Sequence, residues 1–221
     1  MKKYDDIEFL IEILSIFVQI VQMINQEISL KVIIVGDTYT GKTCIMNRYI
    51  NDDFDASTEN TVGATTLTKE LSFNDTKYIL NIWDTAGQEQ YHSIIPVYYR
   101  DADAAIIVFD ITNPKSFDSV EYWKHSVQEE EPNCKILALC ANKIDLREKS
   151  SDEIDLISPE KITETALTLG LPFFECSAAT GEGIVKLFQT IFSDIISQME
   201  PVEHTPSKPQ DLTSKSQGCK C

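Results

Sequence analysis

Gly36-Asp37-Thr38-Tyr39-Thr40-Gly41-Lys42-Thr43 follows a short apolar run, Leu30 to Val35, and leads into Lys42 to Ile50, whose pattern predicts a helix. Strand, glycine-bounded turn ending in Lys-Thr, then helix is the setting in which a chain cradles phosphate. The glycines let the backbone curl so that its N–H groups point at phosphate oxygens, and the start of the helix adds its positive dipole end. In such a loop the lysine, here Lys42, reaches the β and γ phosphates, and the hydroxyl of Thr43 is a ligand for Mg²⁺. A chance glycine turn before a helix is the ordinary alternative, and the preceding strand weighs against it.

Outward from that stretch, strand and helix signals alternate. Leu67, Lys69, Leu71 and Phe73 alternate with Thr68, Glu70 and Ser72, the period of a strand with one wet face. Asn74-Asp75-Thr76 reads as a turn into a second strand, Tyr78 to Trp83, which predicts a hairpin. Ala104 to Asp110, Lys135 to Ala141 and Pro172 to Cys176 are apolar runs of the kind buried on both faces. Helices are expected over Ser116 to Glu130, Ser158 to Leu169 and Gly183 to Gln198. The last places Ile184, Leu187, Phe188, Ile191, Phe192, Ile195 and Ile196 on one stripe. This order predicts an α/β fold: a doubly wound, mostly parallel six-stranded sheet with one antiparallel edge strand.

The chain's 221 residues suit one domain of ordinary size, and 43% hydrophobic against 24% charged residues suits a packed core. Nineteen basic residues against 35 acidic ones leave a formal charge of -16, the wrong sign for a nucleic-acid binder. Cys44, Cys134, Cys140 and Cys176 stand singly, without the close pairing of a zinc site, and read as buried reduced thiols. The expected organisation is an apolar extension over residues 1–28, a domain over 29–198 and a disordered tail over 199–221 rich in Pro, Ser, Thr, Gln and Lys. The apolar run Ile13 to Ile24 is shorter than the roughly 18–20 residues that span a bilayer. Three readings stay open for it: sequence upstream of a start at Met23, an appended amphipathic helix, or a targeting or membrane contact.

Further along stand Trp83-Asp84-Thr85-Ala86-Gly87-Gln88-Glu89, Asn142-Lys143-Ile144-Asp145 and Cys176-Ser177-Ala178-Ala179-Thr180. With the phosphate loop in this order, the chain resembles the Ras-like small GTPases from Leu30 to Ile196. The stretch from Tyr98 to Asn113 and the two C-terminal cysteines resemble the Rab branch. QYHSIIPVYYR and TVGATTLTKEL are most similar to its early-endosome group.

The resemblance implies GTP or GDP as ligand, with Mg²⁺. The loop and helix start, Thr38, Tyr39, Thr40, Gly41, Lys42, Thr43 and Cys44, would hold the phosphates. Asn142, Lys143 and Asp145, the backbone of Ser177, Ala178 and Ala179, and the ring of Phe54 would hold the base. The Asp145 carboxylate accepts from N1–H and the 2-amino group of guanine; adenine would leave that carboxylate unpaired. Thr43, Thr61 and, through water, Asp84 would hold Mg²⁺, and Gly87 would donate to the γ phosphate. Lys42, Thr61 and Gln88 are the implied catalytic residues, Gln88 by placing the attacking water. With no arginine in the phosphate loop or the Thr61 loop, hydrolysis is expected to be slow, and a partner supplying one would accelerate it ~10³–10⁵-fold.

Implied partners are an exchange factor, a GTPase-activating protein, a GDP-dissociation inhibitor or escort protein, and effectors at the Thr61 and Gln88 loops. A monomer is implied. Cys219 and Cys221 resemble the doubly geranylgeranylated ending of Rabs, and two chains anchor where one is marginal. The implied location is the cytoplasmic face of an intracellular membrane, endosomal or another vesicular one, in exchange with the cytosol. A rival reading is a module that holds GTP and recruits partners with little or no hydrolysis.

Four positions depart from the family pattern. Tyr39 and Thr40 replace small or apolar residues of the loop, Ala179 replaces a lysine, and Thr66 replaces a phenylalanine that would join Trp83 and Tyr98 in an exposed aromatic triad. Acidic residues from Glu148 to Asp155 read as a lengthened surface loop.

Overall fold

A computed structural model describes residues 14–15, 27–55, 61, 63–86, 95–147 and 156–199. Six strands form one sheet: β1 (Glu27–Val35), β2 (Ala64–Phe73), β3 (Thr76–Thr85), β4 (Ala104–Asp110), β5 (Ile136–Asn142) and β6 (Phe173–Glu175). Their order across the sheet is β2-β3-β1-β4-β5-β6, with only β2 antiparallel to its neighbour. The helices are α1 (Lys42–Asn51), α2 (Ile95–Tyr99), α3 (Pro114–Asp118), α4 (Val120–Glu130), α5 (Pro159–Leu169) and α6 (Ile184–Gln198). The doubly wound sheet with one antiparallel edge is the architecture the alternation of patterns predicts. Among the described residues no helix is long and apolar enough to cross a membrane.

Alternation along the central strands sends side chains to two cores. Leu30, Val32, Ile34, Ile106, Val108, Ala138 and Cys140 face α1 and α6, where they meet Ile45, Met46, Leu187, Phe188 and Ile191. Ile33, Val35, Ala105, Ile107, Phe109, Leu137 and Leu139 face the opposite way, onto Tyr99, Phe117, Trp123, Val127 and Ile162. β4 and β5 are buried along their whole length because each has a strand on either side and helices on both faces. Burial on both faces does not extend to β6, whose three residues are all half-buried. As the last strand it has a neighbour on one side only.

Boundaries shift where polar residues join an element through backbone pairing. β1 starts at Glu27 rather than Leu30, because Glu27, Ile28 and Ser29 pair in register with Lys77, Tyr78 and Ile79. The sheet therefore begins inside the segment that the sequence assigns to the extension. The hairpin turn falls on Asn74 and Asp75, both left-handed (φ 47° and 60°), as a two-residue turn matching strand twist requires. The single helix expected over Ser116 to Glu130 is two. Pro114 begins α3 one residue after its cap Asn113, whose side chain accepts from the Lys115 N–H, and Ser119 separates α3 from α4. Ser158 caps α5 by accepting from the Lys161 N–H.

Gly183 starts α6 at φ 73°, and a Cβ there would lie 2.1 Å from the Glu175 carbonyl oxygen, so only glycine fits the approach of α6 to β6. Cys134, Cys140 and Cys176 are buried free thiols, while Cys44 is half-buried.

Phe188 is fully buried and its ring stacks on Tyr49 with centroids 4.0 Å apart, joining α6 to α1 beneath the phosphate loop. Phe188→Ala should lower unfolding free energy by about 3–5 kcal/mol, read as a shift of the urea midpoint at unchanged slope.

Candidate nucleotide site

At the C-terminal end of β1 the chain turns through Gly36, where an added Cβ would lie 2.1 Å from the carbonyl oxygen of Val108. The neighbouring strand β4 thus passes against the loop, and a side chain at Gly36 is excluded. The loop closes at Gly41 (φ 90°), the residue before α1, where a Cβ would meet the Asn142 amide nitrogen at 2.5 Å. Between them Tyr39 adopts φ 66° with its side chain 72% exposed, so its bulk lies outside the loop. Thr40 does the reverse: it is fully buried and its hydroxyl donates to the Asp37 carbonyl (2.9 Å). Thr38 and Cys44 are half-buried beside them.

The ammonium of Lys42 turns back over the loop and donates to the carbonyls of Gly36 and Asp37, each at 2.8 Å. Lys42 is 6% exposed, and burial lowers its pKa to about 8 against the raising pull of Asp84 and Asp37. No carboxylate is recorded within ion-pair distance of it among the described residues. A buried cation held only by carbonyls at the mouth of a helix suits a multiply charged anion.

One helical residue on, the Thr43 hydroxyl donates to Asp84 Oδ2 (2.6 Å), and the Thr61 hydroxyl donates to the same oxygen (3.0 Å). The two hydroxyl oxygens lie 3.0 Å apart. Asp84 is fully buried near the end of β3; burial raises its pKa, opposed by the Thr43 bond, the Lys42 charge and the Thr61 bond. Its other oxygen, Oδ1, has no hydrogen-bond partner among the described residues. Two hydroxyl oxygens and a carboxylate oxygen that converge here, with the second carboxylate oxygen beside them, fit a small divalent cation such as Mg²⁺.

The opposite wall comes from the ends of β5 and β6. Asn142 Nδ2 donates to the Thr40 carbonyl (2.8 Å), and Asn142 Oδ1 accepts from the Ala178 N–H (3.2 Å). One buried amide therefore clamps the phosphate loop to the 177–179 segment. Lys143 Nζ donates to the Tyr39 carbonyl (2.8 Å) and pairs with Asp110 at 2.7 Å. Asp145 Oδ1 accepts from the Ser177 hydroxyl (2.7 Å), which orients the carboxylate. Phe54 lies in the segment after α1 and is 36% exposed.

Two residues here are invisible to motif reading. Arg48 donates to the carbonyls of Ala178 (2.9 Å) and Ala179 (3.1 Å), bracing the segment in which Ala179 replaces a longer side chain. Its spacing from Asp52, with which it also pairs, signals only a solvated helix pair. Asp110, at the end of β4, reads as a strand-end residue until Lys143 is seen beside it.

Away from the pocket, the rings of Trp83 and Tyr98 lie 6.2 Å apart, and Thr66 stands opposite Trp83 in the β2–β3 ladder. The two rings and the departing residue of the expected triad thus share one surface. Gly87, Gln88, Cys219, Cys221 and the acidic stretch from Glu148 to Asp155 lie outside the described residues.

A phosphate loop at the strand ends of a doubly wound sheet, facing a hydroxyl–carboxylate cluster, defines a P-loop nucleotide-binding protein. Comparison with known proteins narrows the class. The model of the Ras family matches residues 31–197. Ras-related protein Rab7 of Pisum sativum is 36% identical, over 87% of this chain and 96% of that protein. Ras-related protein Rab-24 of Dictyostelium discoideum is 34% identical over 88% of this chain and 96% of its own length. Ras-related protein RABF2a of Arabidopsis thaliana is 37% identical over 81% and 87%. The chain belongs to the Ras family, as a GTP-hydrolysing small GTPase of the Rab branch, the vesicle-trafficking class.

Tyr39 holds a left-handed backbone that costs a non-glycine residue roughly 1–2 kcal/mol, while glycine gives back roughly 0.5–1 kcal/mol through the unfolded chain. Tyr39→Gly should therefore stabilise the domain slightly, raising the calorimetric midpoint by a few degrees (about 2–4 °C per kcal/mol) at saturating GDP.

Proposed function

We propose that this chain is a timed switch: with GTP bound it recruits partners at a membrane face, and slow hydrolysis to GDP and phosphate ends the recruitment. The observation that carries this reading is the convergence of Thr43, Thr61 and Asp84 beside the buried ammonium of Lys42. A module built only to hold nucleotide has no need for Thr61 in that cluster, because Thr61 belongs to the connection between α1 and β2, not to the phosphate loop.

Thr38 to Cys44 offer backbone N–H groups, the Lys42 ammonium and the Thr43 hydroxyl to the phosphates. Thr43, Thr61 and Asp84 would hold Mg²⁺, which when bound would supply charge neutralisation to the phosphates. Lys42 stabilises the same developing charge, Gly87 donates its N–H to the γ phosphate, and Gln88 orients the attacking water. Asp145 accepts from the guanine edge, Asn142 and Lys143 line the base, the 177–179 backbone meets its carbonyl, and Phe54 lies against the ring. Thr61 senses the γ phosphate, so its departure releases the Thr61 and Gln88 loops from the cluster.

The half-buried rings of Trp83 and Tyr98, with exposed Thr66 opposite Trp83, form the surface that effectors read in the GTP state. An exchange factor, a GTPase-activating protein and a GDP-dissociation inhibitor or escort protein complete the cycle. The switch domain runs from the start of β1 at Glu27 to residue 198, with the residues before it an extension and residues 199–221 a tether whose Cys219 and Cys221 carry prenyl groups. The membrane is endosomal, a reading supported by the similarity of QYHSIIPVYYR and TVGATTLTKEL to that group.

Single-turnover hydrolysis of GTP with Mg²⁺ tests the timer. Slow turnover in the parent should fall at least ten-fold in Gln88→Leu; tight binding with no turnover in either protein would leave only a recruiting module. A second measurement addresses the base. Asp145→Asn exchanges an acceptor for a donor, so displacement titrations should show GTP weakened at least 100-fold and xanthosine triphosphate, whose 2-oxo group accepts, strengthened.

A further inference from the structure

Asp37 is the second residue of the phosphate loop, and its side chain turns out of the loop. Its Oδ1 accepts from the indole Nε1–H of Trp123 (2.7 Å), and its Oδ2 accepts from the hydroxyl of Ser119 (2.8 Å). Both donors belong to another element more than 80 residues away: Ser119 precedes α4 and Trp123 lies one turn into it. Trp123 is 3% exposed and lies in the core that faces α4. The Asp37 carboxylate is thus a hydrogen-bonded link between the phosphate loop and the start of α4.

The same residue's carbonyl accepts from Lys42 Nζ (2.8 Å) and from the Thr40 hydroxyl (2.9 Å). Thr40 in turn offers its carbonyl to Asn142. Asp37 thus joins α4, the buried ammonium and the clamp on the far wall. An aspartate in a tight loop is ordinarily a solvated turn residue, and a serine before a helix is ordinarily its own cap. Neither description holds here. Ser119 makes no side-chain cap bond to α4, and both carboxylate oxygens of Asp37 are taken by α4-side donors.

We propose that Asp37 is a positioning residue for nucleotide retention: it ties the first half of the phosphate loop to Ser119 and Trp123, so that α4 sets where Lys42 and the loop N–H groups point. This rests on the reading of residues 36–43 as a nucleotide's phosphate site. It makes the helix α4, which lies outside the phosphate loop, a lever on how long nucleotide stays bound.

The full chain loaded with a fluorescent N-methylanthraniloyl GDP and Mg²⁺, chased with excess GDP, gives the release rate. Asp37→Ala should release about ten-fold faster or more, the scale of losing hydrogen bonds to a charged acceptor. Asp37→Asn should stay within about three-fold of the parent, since its amide oxygen keeps the indole bond and its N–H₂ finds the Ser119 oxygen. Ser119→Ala should release at least three-fold faster although it alters nothing in the loop, and it decides the matter if Asp37→Ala does not fold.

A spectroscopic reading accompanies the rates. The chain has two tryptophans, so the indole N–H resonance of Trp123 is assigned by comparison with Trp123→Phe. It should move upfield in Asp37→Ala and return in Asp37→Asn. Release at the parent rate from Asp37→Ala, or from Ser119→Ala, would overturn the proposal. A parent that fails to retain GDP at all would overturn the phosphate-site reading beneath it.

Discussion

The ammonium of Lys42 is nearly out of reach of water and rests on the carbonyls of Gly36 and Asp37. Burial holds its pKa down to about 8 even though Asp84 and Asp37 pull the other way, and this buried charge resting on two carbonyls is the constraint around which the rest is arranged. For the ammonium to sit there the backbone must curl tightly enough for two consecutive carbonyls to face it. That curl demands glycine at Gly36, where Val108 leaves no room for a side chain, and a left-handed residue at Tyr39.

The walls of the pocket follow from strand order. Because β1 lies between β3 and β4, the ends of three neighbouring parallel strands deliver Gly36, Asp84 and Asp110 to one edge of the sheet. β5 adds Asn142 next door, and its amide bonds both the phosphate loop and the 177–179 segment. Residues more than a hundred positions apart are thus held by one buried side chain. Such a doubly used amide is worth more than its two bonds, since losing it would leave a buried carbonyl and a buried N–H unpaired.

The departures from the family pattern fall where the structure can absorb them. The ring of Tyr39 is directed away from the loop core, and Thr40 uses its hydroxyl inside the loop, where an apolar side chain would make no such bond. Arg48 braces the carbonyls beside Ala179 from α1. Thr66 is different, because it is exposed opposite Trp83 and puts a small polar side chain where the family pattern has a ring. The consequence of that substitution lies with whatever binds there.

Local periodicity and motif order carried a long way. The sheet, its antiparallel edge, the Asn74-Asp75 turn and the stripe of α6 were legible because period 2, period 3.6 and turn chemistry are properties of neighbours in the chain. The candidate site residues of the phosphate loop, of Asn142 to Asp145 and of Ser177 to Ala179 were legible because they sit in contiguous motifs. What remained hidden depends on residues brought together from afar. The start of β1 at polar Glu27 is set by its register with β3, the half-burial of β6 by its place at the sheet edge, and the break at Ser119 carries no periodic signal. Arg48, Asp110 and Asp37 find these partners across 33 to 131 positions, and no spacing rule reaches that far. Sequence alone determined which chemistry the chain can hold, through residue types and short-range order. Tertiary packing alone decided which groups orient that chemistry, because burial and long-range contact exist only once the strands are side by side.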